Sequence, residues 1–345
     1  NSGSMRVASL PRSRMAESRY PWLSANVFDS ATGRRPVWAV PYRILNAGSL
    51  RVAVIGWITP ETKTIVKAEN VRGLRFAPGV AAIRDVLDEV KAARPDVTIL
   101  LAHSGAVCDS TVCSGEILDL ARALGPGTVD IIIAGHTHRL VNTTVGDVHV
   151  VEARSSGTAL GIVDLVRTPV GRRAEESRVV SIYDDEVTPD TGVARIVAGY
   201  AAQTDSLSHR EVARIKLPLP KGAEDGQYAL GNLIADAQRN VARADVALMN
   251  NGGIRGTGLA AGPVSYAQLF ELSPGQNQLV RVTVTGAILR QGMEHAVESG
   301  TPSAHVSGMT VRYDPSRPVG HRVVDMRLSD GRRVQDRQHY TLATL

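Results

Sequence analysis

The sequence predicts an α/β chain built as two domains, on three observations. Its 345 residues are enough to fill two hydrophobic cores. The first half alternates short apolar runs with segments of helical spacing, which argues for βαβ units with parallel pairing. Around Glu211 the pattern starts afresh. A first domain is therefore expected over 1–190, a connecting helix over 191–210 and a second, smaller domain over 211–345.

Taken in order, Arg51–Ile58 (RVAVIGWI) reads as a strand ending in a turn at Thr59-Pro60. Over 78–93 the apolar residues Val80, Ile83, Val86, Leu87 and Val90 recur at helical spacing. Asp96–Ala102 (DVTILLA) is the next strand, Gly115–Leu124 a helix and Thr128–Ala134 (TVDIIIA) a further strand. Val145–Arg154 and Thr158–Arg167 read as an antiparallel pair joined through Ser155-Ser156-Gly157, while 168–190 is polar and weakly patterned. Val193, Ile196, Val197 and Tyr200 make Thr191–Ser208 an amphipathic helix. Beyond it, Arg214–Leu219 is a strand signal interrupted by prolines, Leu230–Val241 (LGNLIADAQRNV) a helix and Val246–Met249 a buried strand. Helices over 264–271 and 285–298, with a strand over 279–284, precede a tail of strands and turns.

Composition removes several function classes. Hydrophobic residues make up 43% and charged residues 21%, so the chain can build cores and is not a disordered polyelectrolyte. The net charge of +5 comes from scattered residues, with no basic stripe interleaved with aromatics. A nucleic-acid polymer is therefore not the expected partner. No apolar stretch approaches the roughly 18 residues that a membrane span needs.

Chemistry concentrates at strand ends. The run Ile131–Ala134 stops in Gly135-His136-Thr137-His138, and the Asp96 strand stops in His103-Ser104-Gly105. Open α/β sheets place their sites at such ends, and neutral imidazole is the commonest metal ligand. His103, His136 and His138 are thus candidate metal ligands, sharing a dinuclear centre if both strands reach one sheet edge. The bland alternatives are a surface turn and a satisfied core histidine. Gly135 is expected to let the backbone bend or approach a neighbour closely. Cys108 and Cys113 follow His103 at short spacing and suit a disulfide, with free thiols or soft metal ligands as alternatives.

A second constellation, Asn250-Asn251-Gly252-Gly253-Ile254-Arg255, also ends a strand. Gly252 and Gly253 allow close approach of a ligand, Asn250 both donates and accepts hydrogen bonds, and Arg255 offers a planar fork for phosphate. A glycine turn with a solvated Arg is the alternative. Asn277, in the turn Pro274-Gly275-Gln276-Asn277, is a further candidate contact.

Together these residues resemble the 5'-nucleotidase family of two-domain metallophosphoesterases. The resemblance runs through Tyr20–Val27 (YPWLSANV), His103–Gly105, Gly135–His138, Leu230–Ala237, Asn250–Arg255 and Pro274–Asn277, in order, from about residue 15 to 345. It implies a layered β-sandwich flanked by helices in a calcineurin-like domain over 1–190, and an α/β nucleotide-binding domain over 211–345. It also implies two divalent metal ions (Zn²⁺, Mn²⁺ or similar), one bound by His103 and His136 and the other by His138. These would activate water for attack on a phosphate ester. Asn250, Gly252, Gly253, Arg255 and Asn277 would hold a nucleotide or another small phosphate ester. The implied activities are 5'-nucleotidase, cyclic-nucleotide phosphodiesterase and nucleotide-sugar hydrolysis, or a related hydrolysis of a sulfur-containing substrate. A periplasmic or secreted location follows from the family habit and the close cysteine pair.

The sequence also departs from the family. The remaining metal ligands there lie in Asp-x-His, Gly-Asp and Gly-Asn-His-Glu motifs upstream of the Tyr20 segment, and residues 1–14 hold neither His nor Asp. The transition-state histidine belongs to the last of these motifs, so no catalytic residue is identifiable. The chain stops at Leu345, where the family continues into Gly-Gly-Asp-Gly. A family member cut at both ends, with a partial metal site, is therefore expected; the alternative is a non-catalytic nucleotide-binding or degenerate member. Gly275 replaces the family's base-stacking Phe, which Tyr266 or Phe270 could replace only in part and with no support from spacing, and Glu224 stands where a phosphate-binding Arg is frequent.

Overall fold

The computed structural model describes residues 15–109, 112–168, 171–222, 226–274 and 277–345. The chain divides into two compact units between Thr188 and Pro189, and the helix expected as a connector falls in the second.

The first unit is organised by one six-stranded sheet. Its strands are β1 (Tyr42–Ala47), β2 (Leu50–Ile58), β3 (Val97–His103), β4 (Ile131–Ile133), β5 (Leu140–Val145) and β6 (Val148–Ala153), in the spatial order β1-β2-β3-β4-β6-β5. The central run β2-β3-β4-β6 is parallel, as the βαβ spacing predicts, and both outer strands are antiparallel. Helices α1 (Ala81–Ala92) and α2 (Glu116–Leu124) make the crossovers. They set Ile83, Val86, Leu87, Val90, Ile117, Leu118 and Leu124 against Ala53, Ile55, Leu100 and Ile132 of the sheet. Burying a side chain of this size contributes about 1.5–3 kcal/mol, so this layer dominates the unit's stability.

Two expectations need correction here. Val148–Ala153 and Ala159–Thr168 do not pair with each other. β6 pairs with β5 and β4, whereas β7 (Ala159–Thr168) pairs with β8 (Gly171–Ser181) in a separate ribbon. The apolar alternation identified the strands, but their partners, Leu140–Val145 and the polar 171–181 run, carry too little hydrophobic signal to be read. The Thr128–Ala134 strand is also shorter than expected, because only Ile131–Ile133 carry the ladder.

The Tyr20–Val27 segment is fixed through Asn26, which is fully buried. Its amide donates to the carbonyls of Ile58 (2.7 Å) and Ala77 (3.0 Å) and accepts from Ile58 N–H at 3.1 Å. One side chain thereby ties this segment to the end of β2.

The second unit contains α3 (Thr191–Ser208), α4 (Ala229–Ala242), β9 (Val246–Asn250), α5 (Tyr266–Leu272), β10 (Val280–Thr285), α6 (Gly286–Ala296), β11 (Ala304–Ser307), β12 (Met309–Tyr313), β13 (Val323–Leu328) and β14 (His339–Thr344). A four-stranded sheet runs β10-β14-β9-β11, and β12 pairs with β13. Val246, Leu289, Met293, Met326 and Tyr340 pack in one core, while Leu230, Ala235, Met249 and Ile254 pack in another beneath α4. α3 spans the residues its periodicity predicted and is N-capped by Asp190, which accepts from Gly192 N–H and Val193 N–H. None of its residues is buried, so its apolar stripe is an exposed face. Among the described residues, no helix is long and apolar enough to cross a membrane.

Candidate functional site

In the first unit, parallel β3 and β4 deliver their histidines to the same edge of the sheet. The His103 and His136 rings lie 5.0 Å apart, centroid to centroid, tilted by 55°. His103 has its pKa lowered, chiefly by desolvation and then by the neighbouring His136 and His138 rings, while Glu152 opposes the shift. That keeps His103 in the neutral form that ligates metals.

The Gly-His-Thr-His turn departs from its sequence-based expectation in an informative way. Gly135 has room to spare: a methyl group placed on it would find its nearest neighbour, Ala102 O, 3.8 Å away. The left-handed backbone falls instead on the histidines, with φ of 79° at His136 and 58° at His138. Thr137 N–H donates to Gly135 O at 3.0 Å, which closes a three-residue turn centred on His136. Such conformations cost about 1–3 kcal/mol each and persist only when their surroundings enforce them.

Packed against this turn is a residue that sequence reasoning misses. Glu152, in β6, is 1% exposed. Its carboxylate accepts from the Thr137 hydroxyl at 2.7 Å, from Arg139 N–H at 3.3 Å and from Ala106 N–H at 3.4 Å. The tight glycine is Gly105: a Cβ there would run into Glu152 Oε2, Gly135 O and Thr137 Oγ1, far inside van der Waals contact with all three. Gly135 N–H donates to Ser104 O at 3.1 Å, and the Ser104 hydroxyl donates to Glu116 at 2.8 Å. A disulfide joins Cys108 to Cys113 in the hairpin that leads from this loop to α2. Glu61, just beyond β2, brings Oε2 to 3.4 Å from His136 Nε2 and is likewise missed. Its only sequence signal is its place after a strand end.

The donors suit a metal in kind: imidazoles at a sheet edge, one of them held neutral. They supply a share of a coordination shell, since among the described residues no three His, Cys, Asp or Glu side chains gather into a group that could hold an ion.

In the second unit, four of the expected binding residues meet. Asn250, Gly253, Arg255 and Asn277 line one cavity of about 360 Å³ with Met249, Ser273, Pro274 and Leu345. Arg255 N–H donates to Leu272 O at 2.8 Å, which brings the end of β9 beside the end of α5 and so beside Asn277. Gly252 does not line the cavity, and neither Tyr266 nor Phe270 reaches it. Those two rings stack on each other at 6.5 Å, and Phe270 is exposed. Glu224, Gly275 and Gln276 lie outside the described residues.

Residues 211–345 match the model of the 5'-nucleotidase C-terminal domain. Through that match the second unit is similar to the C-terminal domain of 5'-nucleotidases. The chain is 29% identical over 327 residues to endonuclease YhcR of Bacillus subtilis, covering 94% of this chain and 26% of that protein. A 5'-nucleotidase of Vibrio cholerae is 26% identical over 318 residues, covering 78% of this chain and 56% of its own. Among solved structures, a 5'-nucleotidase precursor from Thermus thermophilus shares the fold with a TM-score of 0.80 at 24% identity, over 95% of this chain and 69% of that one. The chain thus spans from about a quarter to just over half the length of these two curated relatives.

Proposed function

We propose that the chain carries one side of a divalent-metal site and the substrate-binding unit of a hydrolase acting on nucleotide phosphate esters. The observation behind this is the meeting of His103, at the end of one strand, and His136, in the turn after the adjacent parallel strand, at one sheet edge with His138 in electrostatic range. These imidazoles would hold their share of the metal. A bound divalent ion supplies an acidified water and a positive charge beside the phosphoryl group. In the second unit Arg255 would pair with phosphate through its guanidinium fork, while Asn250 and Asn277 orient the nucleoside portion by hydrogen bonds. The disulfide supports a periplasmic or secreted location, since such bonds persist in oxidising compartments.

The donor count favours a second reading, in which the chain binds nucleotide without turning it over. Two measurements separate them. Phosphate release from AMP in the presence of Mn²⁺, abolished by His136→Ala, is the outcome expected of the hydrolase. Saturable AMP binding with no phosphate release, weakened at least tenfold by Arg255→Ala, is the outcome of the binding protein. AMP binding that Arg255→Ala leaves unchanged would remove the second-unit cavity from either account.

A further inference from the structure

We infer that Glu152 is a positioning residue that locks the two histidine-bearing loops into one constellation. Three features support this. First, Glu152 is buried, and its carboxylate bridges the loops. It accepts from Ala106 N–H after β3, and from the Thr137 hydroxyl and Arg139 N–H on either side of His138. Second, the loop that carries His103 has a glycine where the carboxylate arrives, and any Cβ at Gly105 would displace Glu152 Oε2 and Thr137 Oγ1 together. Third, the turn it grips holds its backbone in left-handed conformations at His136 and His138, which are uncommon for any residue bearing a Cβ. Charge-assisted hydrogen bonds of this kind are the strong ones, and partners one step removed from a metal ligand set its orientation. The dihedral angles of the turn, and hence where its two imidazoles point relative to His103, are set from the neighbouring strand β6.

The metal part of this inference rests on the hydrolase reading above; the clamp itself does not. The test therefore uses two readouts on the full chain: imidazole ¹⁵N–¹H correlation spectra without metal, and calorimetric titration with Zn²⁺ alone. Glu152→Leu removes the acceptors while keeping an apolar side chain of similar size. Glu152→Gln restores one carbonyl acceptor. With Glu152→Leu, the His136 and His138 ring signals are expected to broaden or split, and Zn²⁺ affinity to fall about tenfold or more. Glu152→Gln is expected to recover both in part, and the Trp-monitored unfolding transition to remain cooperative. Should Glu152→Leu fail to fold, Thr137→Val deletes one arm of the clamp, together with the hydroxyl's direct contact to Ala106 O at 2.9 Å, and is expected to shift the same ring signals. A folded Glu152→Leu or Thr137→Val protein with wild-type ring spectra would overturn the inference. Wild-type protein that binds no Zn²⁺ would overturn the metal reading, leaving the ring spectra to decide on the clamp.

Discussion

The two units solve the same problem, presenting polar side chains at a strand end, by different means. In the first, a buried carboxylate, a glycine with no room for a methyl group and two left-handed histidines hold the His103 and His136 loops against each other. In the second, Asn250, Gly253, Arg255 and Asn277 line a cavity whose turn is tied by backbone hydrogen bonds from Asn251, Ile254 and Arg255; a Cβ on Gly253 would crowd Asn250 Oδ1 at 2.7 Å, while Gly252 has space around it. The first unit fixes its loops through a buried carboxylate, the second through backbone packing of a strand end beside a helix end.

Substitutions sharpen this contrast. Gly105→Ala is expected to have the largest effect, destabilising the first unit by about 3 kcal/mol, because its Cβ collides with three oxygen atoms at once. Urea unfolding followed by tryptophan fluorescence reads that unit alone, since Trp22, Trp38 and Trp57 all lie in it. A wild-type midpoint would show that the two loops move apart freely. Replacing both Cys108 and Cys113 by Ser is expected to cost about 2 kcal/mol, the cross-link closing a loop of sequence separation five. The same loss should follow when wild-type protein is unfolded with a reductant present.

Smaller effects come from pH. His149 in the first unit and His305 in the second are buried, and desolvation lowers the pKa of both. Below the unfolded-state value of about 6.5, the unfolded chain takes up protons that the folded one refuses. Stability is therefore complete above that pH and falls as the pH drops through it toward the depressed folded values. His149→Asn should flatten the acid limb of the tryptophan-monitored curve; an unchanged limb would place the proton uptake elsewhere. Least affected is Gly252→Ala, expected to stay within about 0.5 kcal/mol because the nearest atom to the new methyl is 3.6 Å away.

The elements are legible in the sequence wherever hydrophobic period and length agree. α3, α1 and the strands β2, β3 and β9 fall within a few residues of expectation. The candidate residues at strand ends are legible for the same reason, since a buried apolar run that stops in glycine and imidazole announces an edge. What stays hidden depends on sheet order. Glu152 sits inside the run VHVVEA and reads as an ordinary alternation residue, because its role exists only once β6 lies beside β4. Glu61 meets His136 across 75 positions of sequence. The pairing of β7 with β8 is hidden because the second strand is rich in charge and poor in apolar signal.

If His136 and His138 hold an ion as proposed, their left-handed backbone would make folding and ligation one equilibrium. The entropy of arranging those rings is lost when the sheet edge forms, so an ion arriving there does not have to restrict them again. Linkage then runs in both directions: whatever loosens the turn weakens the ion by the same free energy, and a bound ion protects the turn from opening. Local hydrogen exchange at Thr137 N–H, whose partner is Gly135 O, would report ion binding even where no reaction follows.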